Sequence, residues 1–133
     1  MDTFSLKKKQ AVANLFQLQY VIMKNEVNAL KIKSHNADAL VLKSQQEYAS
    51  VLKGVSELQR NFGFALENKV YDDSFLIINR KYNEYLMKKK SSEEIKEILH
   101  HKMNLVVIHK RKIDHLNDNI RNFKLVEFYN NLD

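Results

Sequence analysis

Apolar side chains recur along the first half of the chain at alternating steps of four and three residues. From Phe16 to Phe62, twelve of the fourteen positions on these steps are apolar. An average spacing of 3.5 residues is typical of a long helix that packs along its length on another helix. We therefore predict a helix over about residues 5–60. The positions are Phe16, Tyr20, Met23, Val27, Leu30, Ser34, Ala37, Val41, Ser44, Tyr48, Val51, Val55, Leu58 and Phe62.

The second half of the chain carries two apolar patterns that differ in phase. The first comprises Phe64, Tyr71, Phe75, Ile78, Tyr82 and Tyr85, and the second comprises Ile95, Leu99, Val106, Ile113, Leu116, Ile120 and Phe123. Ser91 with Glu94 fits a capping box at the start of a new helix. Two alternatives follow: one continuous helix with a stutter, or a break near Ser91 that gives helices over about residues 64–89 and 92–130.

The composition favours an all-α fold with very few connections. Proline is absent, and Gly54 and Gly63 are the two glycines, so the turns that β folds require are missing. Gly63, after Asn61 and Phe62, is the natural end of the first helix. We predict a single domain over residues 1–133, a long antiparallel coiled-coil hairpin of two helices, or of three if the second arm breaks.

Candidate chemistry is sparse along this chain. It has no cysteine, hence no disulfide or thiolate metal site, and no glycine-rich phosphate loop. Glu97 and His100 form a single Glu-x-x-His pair, whereas helical di-iron sites need two such pairs and two further glutamates. Asp72 and Asp73 are adjacent and point about 100° apart on a helix, so they cannot share a proton. We predict no enzyme activity, no cofactor and no metal.

The net charge of +6 leaves a nucleic-acid partner as an alternative, since clusters at 7–9, 88–90 and 109–112 could contact phosphates. The apolar stretch Leu15–Met23 is interrupted by Gln17 and Gln19 and is shorter than the roughly 20 residues of a membrane span. No cleavage site for a signal peptide follows it. We expect a cytoplasmic chain without a membrane span.

Two segments carry more apolar residues than one partner helix can cover. Leu15–Met23 is apolar nearly all round, and residues 105–108 cannot all face the same neighbour. Some of these side chains must pack on a third segment or bind another chain. We predict a protein-binding role, with oligomerisation left open. The candidate contact residues are Leu15, Phe16, Val106 and Ile108.

The hairpin, with the segment Ser92-Glu93-Glu94-Ile95 and the later segment Lys110-Arg111-Lys112-Ile113-Asp114-His115-Leu116, resembles the coiled-coil stalk proteins of flagellar and type III export ATPases. Members of that family are small, basic helical hairpins that insert into the ATPase ring and touch the export gate. The resemblance implies a non-catalytic role in bacterial protein export, with the ATPase as partner.

The apolar first helix is also similar to that of the small helical proteins that pair with toxins of the type VII secretion system. That resemblance implies an escort, or chaperone, whose partner is a helical cargo. Three function hypotheses therefore follow from the sequence: a stalk component of bacterial protein export, an escort of a secreted toxin, and a basic helical nucleic-acid-binding protein.

Overall fold

A computed structural model of the chain describes residues 2–63 and 68–132, with the side chains of residues 2–4 left out. Helix α1 spans Asp2–Phe62 and helix α2 spans Asn68–Asn130, and the two pack against each other as a helical hairpin. The predicted all-α hairpin is confirmed. Residues 64–67, where the second helix was predicted to begin, lie outside the described residues.

Helix α2 is continuous through Ser91, so of the two predicted alternatives the break into helices over 64–89 and 92–130 is wrong. The contacts between the helices fall into two compact units. The terminal unit comprises Met1–Leu30 with Ile98–Asp133, and the loop unit comprises Lys31–Glu97. Each unit contains a stretch of α1 packed on a stretch of α2.

The predicted register of α1 is confirmed over most of its length. The twelve predicted positions from Phe16 to Val55 are all buried or half-buried. The last two, Leu58 and Phe62, are exposed. The stripe of α1 that contacts α2 is therefore the one that its apolar spacing indicates.

Helix α2 has a single register, and the predicted change of phase is also wrong. Its inward stripe uses Ser74 and Lys81, whereas the aromatic side chains of Phe75 and Tyr82 are 64% and 42% exposed. When these two polar residues are included, the inward positions of α2 follow one another at steps of three and four residues, and this pattern continues past Ser92 without interruption. Lys88 is the one position on the pattern that is exposed. The inward positions are Tyr71, Ser74, Ile78, Lys81, Tyr85, Ser92, Ile95, Leu99, Lys102, Val106, His109, Ile113, Leu116, Ile120, Phe123 and Glu127.

An ion pair explains how a lysine occupies an inward position in the loop unit. The Nζ atom of Lys81 lies 3.4 Å from Glu47 Oε2 on α1 and 3.5 Å from Glu84 Oε2 on α2. The aliphatic stem of the lysine can cover apolar surface while its ammonium group stays at the rim. Tyr82 lies beside the stripe, with its ring centroid 5.3 Å from that of Tyr48. The aromatic spacing therefore predicted, at Tyr82, a residue at the border of the helix contact and not one at its centre.

A second polar contact lies where the break was predicted. Ser92 is only 3% exposed, and its Oγ atom donates a 2.7 Å hydrogen bond to Asp38 Oδ1 on α1. The Nζ atom of Lys96 lies 2.8 Å from the same oxygen. The hydrogen bond from Lys96, followed by that from Ser92, holds the pKa of Asp38 below its ordinary value. Ser92 thus faces α1 inside a continuous helix.

Asp38 gives the loop unit a predictable response to acid. Because its pKa is lower in the folded chain, its stabilising contribution is complete above the ordinary carboxyl pKa and is lost as the pH falls through the lowered value. We expect the difference in free energy of unfolding between wild type and Asp38→Asn to be largest above the ordinary carboxyl pKa and to shrink as the pH falls through the lowered value. Urea unfolding followed by circular dichroism measures it. Equal pH dependence in both proteins would contradict the assignment, and Ser92→Ala should retain part of the dependence because the lysine pair remains.

The two units differ in what they bury. Among the described residues, the buried apolar side chains all belong to the terminal unit: Ala13, Val27, Ile113 and Ile120. The buried polar ones all belong to the loop unit: Ser34, Ser44 and Ser92. The terminal unit therefore contains the better apolar core, and its apolar packing contributes more to stability.

The two glycines occupy opposite environments. Gly63, directly after α1, has a φ of +49°, and its carbonyl oxygen accepts a 2.8 Å hydrogen bond from Tyr71 Oη. Gly54 lies inside α1, and a Cβ atom added there would meet nothing within 4 Å. Gly63 is thus required by the backbone, whereas Gly54 weakens the helix without a packing reason.

This contrast predicts stability changes of opposite sign. Gly54→Ala should raise the free energy of unfolding by about 1 kcal/mol, because alanine restricts the unfolded chain and fits the helix. Gly63→Ala should lower it by about 1–2 kcal/mol, because a Cβ atom is strained at positive φ. Chemical unfolding of both variants measures the changes. Destabilisation by Gly54→Ala would show that residue 54 lies against a neighbour.

Candidate protein-binding surface

The chain exposes more surface than its mass requires. Its accessible area is 10443 Å² for 15.7 kDa. A compact monomer of this mass exposes about 7,300 Å², so the excess is about 3,000 Å². The positions of the exposed apolar residues decide where a partner would lie.

The packing of the terminal unit defines two edges beside the helix contact. In heptad letters, Phe16 is d and Tyr20 is a on α1, and Val106 is a and His109 is d on α2. Lys110 is at position e of α2, and its Nζ atom lies 5.7 Å from the centroid of the Tyr20 ring, so position e of α2 is next to position a of α1.

On the other side of the contact, Glu26 is at position g of α1 and Lys102 is at position d of α2. Their Oε2 and Nζ atoms are 3.2 Å apart, so these two positions are also neighbours. We call these two sides the e edge and the g edge.

The e edge of the terminal unit is basic. The Nζ atom of Lys24 lies 5.3 Å from the centroid of the same Tyr20 ring that Lys110 approaches. Two ammonium groups therefore lie within 6 Å of one aromatic ring, where cation–π attraction can act on each. Lys110 also pairs with Asp114 at 3.2 Å. Lys124, at a further e position, adds a positive charge to this edge.

A large apolar surface covers the outer side of α1 in the terminal unit. Leu15, Leu18, Val21 and Ile22 occupy heptad positions b, c and f, which point away from α2, and their side chains are 46–58% exposed. Ala11, also exposed, extends the same surface by one turn. We call these five residues the α1 outer face. Such positions are normally polar, so a contiguous apolar group there indicates a binding surface.

Positive charges predominate on α1 beside the α1 outer face, and Glu26 lies one turn beyond Ile22. No Asp or Glu occurs between residues 5 and 25, whereas Lys7, Lys8, Lys9 and Lys24 do. Lys9 points to α2, with its Nζ atom 4.9 Å from the centroid of the Phe123 ring. The surface therefore combines apolar side chains with positive charge, which is complementary to an acidic partner.

The four predicted contact residues separate into two pairs. Leu15 and Ile108 are exposed, at 53% and 46%. Phe16 and Val106 are half-buried in the contact between the helices. The ring of Phe16 packs 5.3 Å from that of His109, whose Nε2–H donates a 2.8 Å hydrogen bond to the carbonyl oxygen of Phe16. These two side chains serve the contact between α1 and α2.

The four predicted contact residues do not include Leu18, which lies within the segment Leu15–Met23 and is 58% exposed at the centre of the α1 outer face. A signal for it exists, because Ala11, Leu15, Leu18 and Ile22 repeat the steps of four, three and four on the side opposite to the main stripe. Val107, beside Ile108 on α2, is 49% exposed. Val107 and Ile108 are on α2, whereas the α1 outer face points away from that helix.

Other candidate chemistry stays dispersed in the part of the chain that the structure describes. Within residues 2–63 and 68–132, no three His, Cys, Asp or Glu side chains come together as a metal site. No helix in those ranges has the length and apolar character needed to cross a bilayer. The lysines at 88–90 are all exposed.

Comparison with protein-family models, with curated proteins and with solved structures finds no match to this chain.

Val106 and Ile108 are a matched pair for testing which face of α2 contacts α1 and which face meets solvent. Val106→Asp should lower the free energy of unfolding by about 2–3 kcal/mol, because it places a charge in the helix contact. Ile108→Asp should change it by less than about 0.5 kcal/mol, because that side chain already meets solvent. Urea unfolding of both variants measures the difference. Similar losses in the two variants would contradict the assigned faces.

Proposed function

We propose that this chain is a non-catalytic coiled-coil module that binds another protein through its terminal unit. The observation that supports the proposal best is the α1 outer face, where four large aliphatic side chains about half exposed lie opposite the helix contact. Keeping such a group in water is unfavourable, and burial in a partner would remove that cost. The role we propose is that of a stalk or escort component of bacterial protein export.

The export role has two forms that differ in the partner. A stalk component, as the flagellar and type III resemblance implies, binds an ATPase ring. An escort or chaperone, as the type VII resemblance implies, binds one helical cargo protein. Both forms need an apolar helix face that the chain itself leaves uncovered, and the α1 outer face meets that need in either case.

A nucleic-acid partner is the second candidate, and the basic e edge favours it. Lys24, Lys110 and Lys124 lie along that edge and could contact phosphates. Single-strand binding also uses aromatic side chains on which bases stack, and the ring of Tyr20 at this edge is already covered by two lysines. The apolar outer face would have no role in such a complex.

Affinity capture with two matched variants tests the proposal. Leu18 in the terminal unit and Leu42 in the loop unit are both on α1 and are 58% and 55% exposed. We expect the tagged wild type and Leu42→Gln to retain a stoichiometric partner from the native cell, and Leu18→Gln to lose it. An export ATPase in the eluate supports the stalk form, and a long-helix cargo supports the escort form.

Two results would overturn the protein-binding proposal. One is nucleic acid in the eluate without a stoichiometric protein, with retention that falls steeply as salt rises. The other is equal capture by Leu18→Gln and wild type, which would remove the α1 outer face as the binding surface. Circular dichroism of both variants should match wild type, since neither leucine belongs to the helix contact.

A further inference from the structure

We infer that the outer side of α2 in the loop unit binds the same surface of a second copy of this chain, with the two α2 helices antiparallel. This surface, which we call the α2 outer face, comprises heptad positions b, c and f of α2 between residues 69 and 94. These positions point away from α1, and all of them are exposed. The inference goes beyond the proposed function, which concerns the terminal unit.

The α2 outer face carries three large apolar side chains that the hairpin does not bury. Leu76 at position f is 66% exposed, Leu86 at b is 41% exposed, and Met87 at c is 72% exposed. Positions opposite a helix contact are normally polar. Contact with another helix would remove these side chains from water, which is favourable.

A two-fold axis at the level of Lys81 brings the apolar side chains together. In an antiparallel pair of helices related by such an axis, residues at equal distances before and after the axis face each other. Leu76 lies about five residues before this level, and Leu86 and Met87 lie about as far after it. Leu76 of each copy therefore packs between Leu86 and Met87 of the other copy.

The charges of the α2 outer face fit the same two-fold axis. Lys90, at position f, and the pair Asp72 and Asp73, at b and c, lie about nine residues from the axis on opposite sides. Lys69, at f, and the glutamates at 93 and 94 lie about twelve residues from it in the same way. Lysine and carboxylate groups of the two copies therefore meet on both sides of the apolar contact, where they attract each other.

The centre of the α2 outer face is polar and is also complementary to itself. Asn83 at f faces Asn79 and Arg80 of the other copy, because these residues lie about two residues from the axis on opposite sides. A side-chain amide carries both donors and an acceptor, so two asparagines can bond to each other. Polar residues within a helix contact fix its register and orientation.

The charged residues that make this pattern are not used inside the hairpin. Within residues 2–63 and 68–132, no ion pair includes Lys69, Asp72, Asp73 or Lys90. The first turn of α2, where the helix dipole favours carboxylates, contains no acidic residue. A parallel pair of α2 helices would place Asp72 beside Asp72 and Lys90 beside Lys90. The charges therefore favour the antiparallel arrangement.

The symmetry of the pattern indicates a second copy and not an unrelated protein. Binding to an unrelated partner does not require the residues before Lys81 to complement those after it. A two-fold interface does require it, because the same surface supplies both halves of the contact. The segment from 69 to 94 is about 39 Å of helix, which is a short interface. We therefore expect a reversible dimer at high concentration.

Sedimentation equilibrium of the full-length chain with a matched pair of variants tests the inference. We expect wild type to form dimers as its concentration rises towards about 1 mM. Leu76→Gln should weaken dimerisation by about tenfold or more, because the change removes a leucine from both halves of the contact. Leu125→Gln makes the same change at position f of α2 in the terminal unit, where the leucine is 48% exposed, and should have no effect.

An exchange of charges tests the orientation. Asp72→Lys with Asp73→Lys makes one variant positive at both ends of the contact, and Lys90→Asp makes a second variant negative there. Each alone should dimerise at least about tenfold more weakly than wild type, because like charges then face each other. An equimolar mixture should form heterodimers with nearly the affinity of wild type. High salt should reduce these differences.

Several results would overturn the inference. A wild-type chain that stays monomeric at about 1 mM would remove the dimer. Equal weakening by Leu76→Gln and Leu125→Gln, or a mixture of the charge variants that associates no better than each alone, would remove this surface as its site. A dimer that Leu18→Gln abolishes and Leu76→Gln retains would assign self-association to the α1 outer face. Circular dichroism confirms that every variant stays helical.

The same leucine variants separate this inference from the proposed function. We expect Leu76→Gln to lose the dimer and retain the captured partner, and Leu18→Gln to do the reverse. If wild type captures a partner but stays monomeric, the proposed function stands and the dimer is wrong. If wild type dimerises but captures no partner, the dimer stands and the proposed function fails.

Discussion

Burial of one narrow stripe on each of two long helices is the interaction on which the rest of this structure depends. Helices of 61 and 63 residues without a supporting neighbour would expose apolar side chains along their full length. Packing in a heptad register covers those stripes, which is how most helices in proteins gain stability. Most side chains outside the stripes are exposed, and a partner could contact the helices only through these exposed faces.

Several polar residues in the stripe of α2 have a partner on α1. Lys81 reaches Glu47, and Ser92 with Lys96 reaches Asp38. Hydrogen bonds and ion pairs at these places offset the loss of water around the polar groups. They also favour one register over its neighbours, since a shift of one turn would leave the same groups without partners. Apolar packing is accordingly concentrated in the terminal unit.

The e edge and the α1 outer face of the terminal unit differ in chemistry because of the way the two helices pack. Antiparallel packing brings the e positions of both helices to one edge, and lysines at those positions meet around Tyr20. The α1 outer face borders that edge and holds no acidic residue. A single helix can therefore offer apolar contact and positive charge side by side, which is the combination that gives an interface both affinity and orientation.

The amino-acid sequence by itself determined the helical class, the register of α1 and the end of α1 before Gly63, because apolar spacing and glycine usage depend on local geometry. Only the tertiary structure decided the phase of α2. Phe75 and Tyr82 stand at convincing spacing in the sequence, yet Lys81 takes the inward position because Glu47 lies across from it. The tertiary structure likewise decided that Phe16 packs on His109 while Leu15, one residue earlier, stays exposed. The position of the partner helix determines which of two adjacent apolar residues is buried.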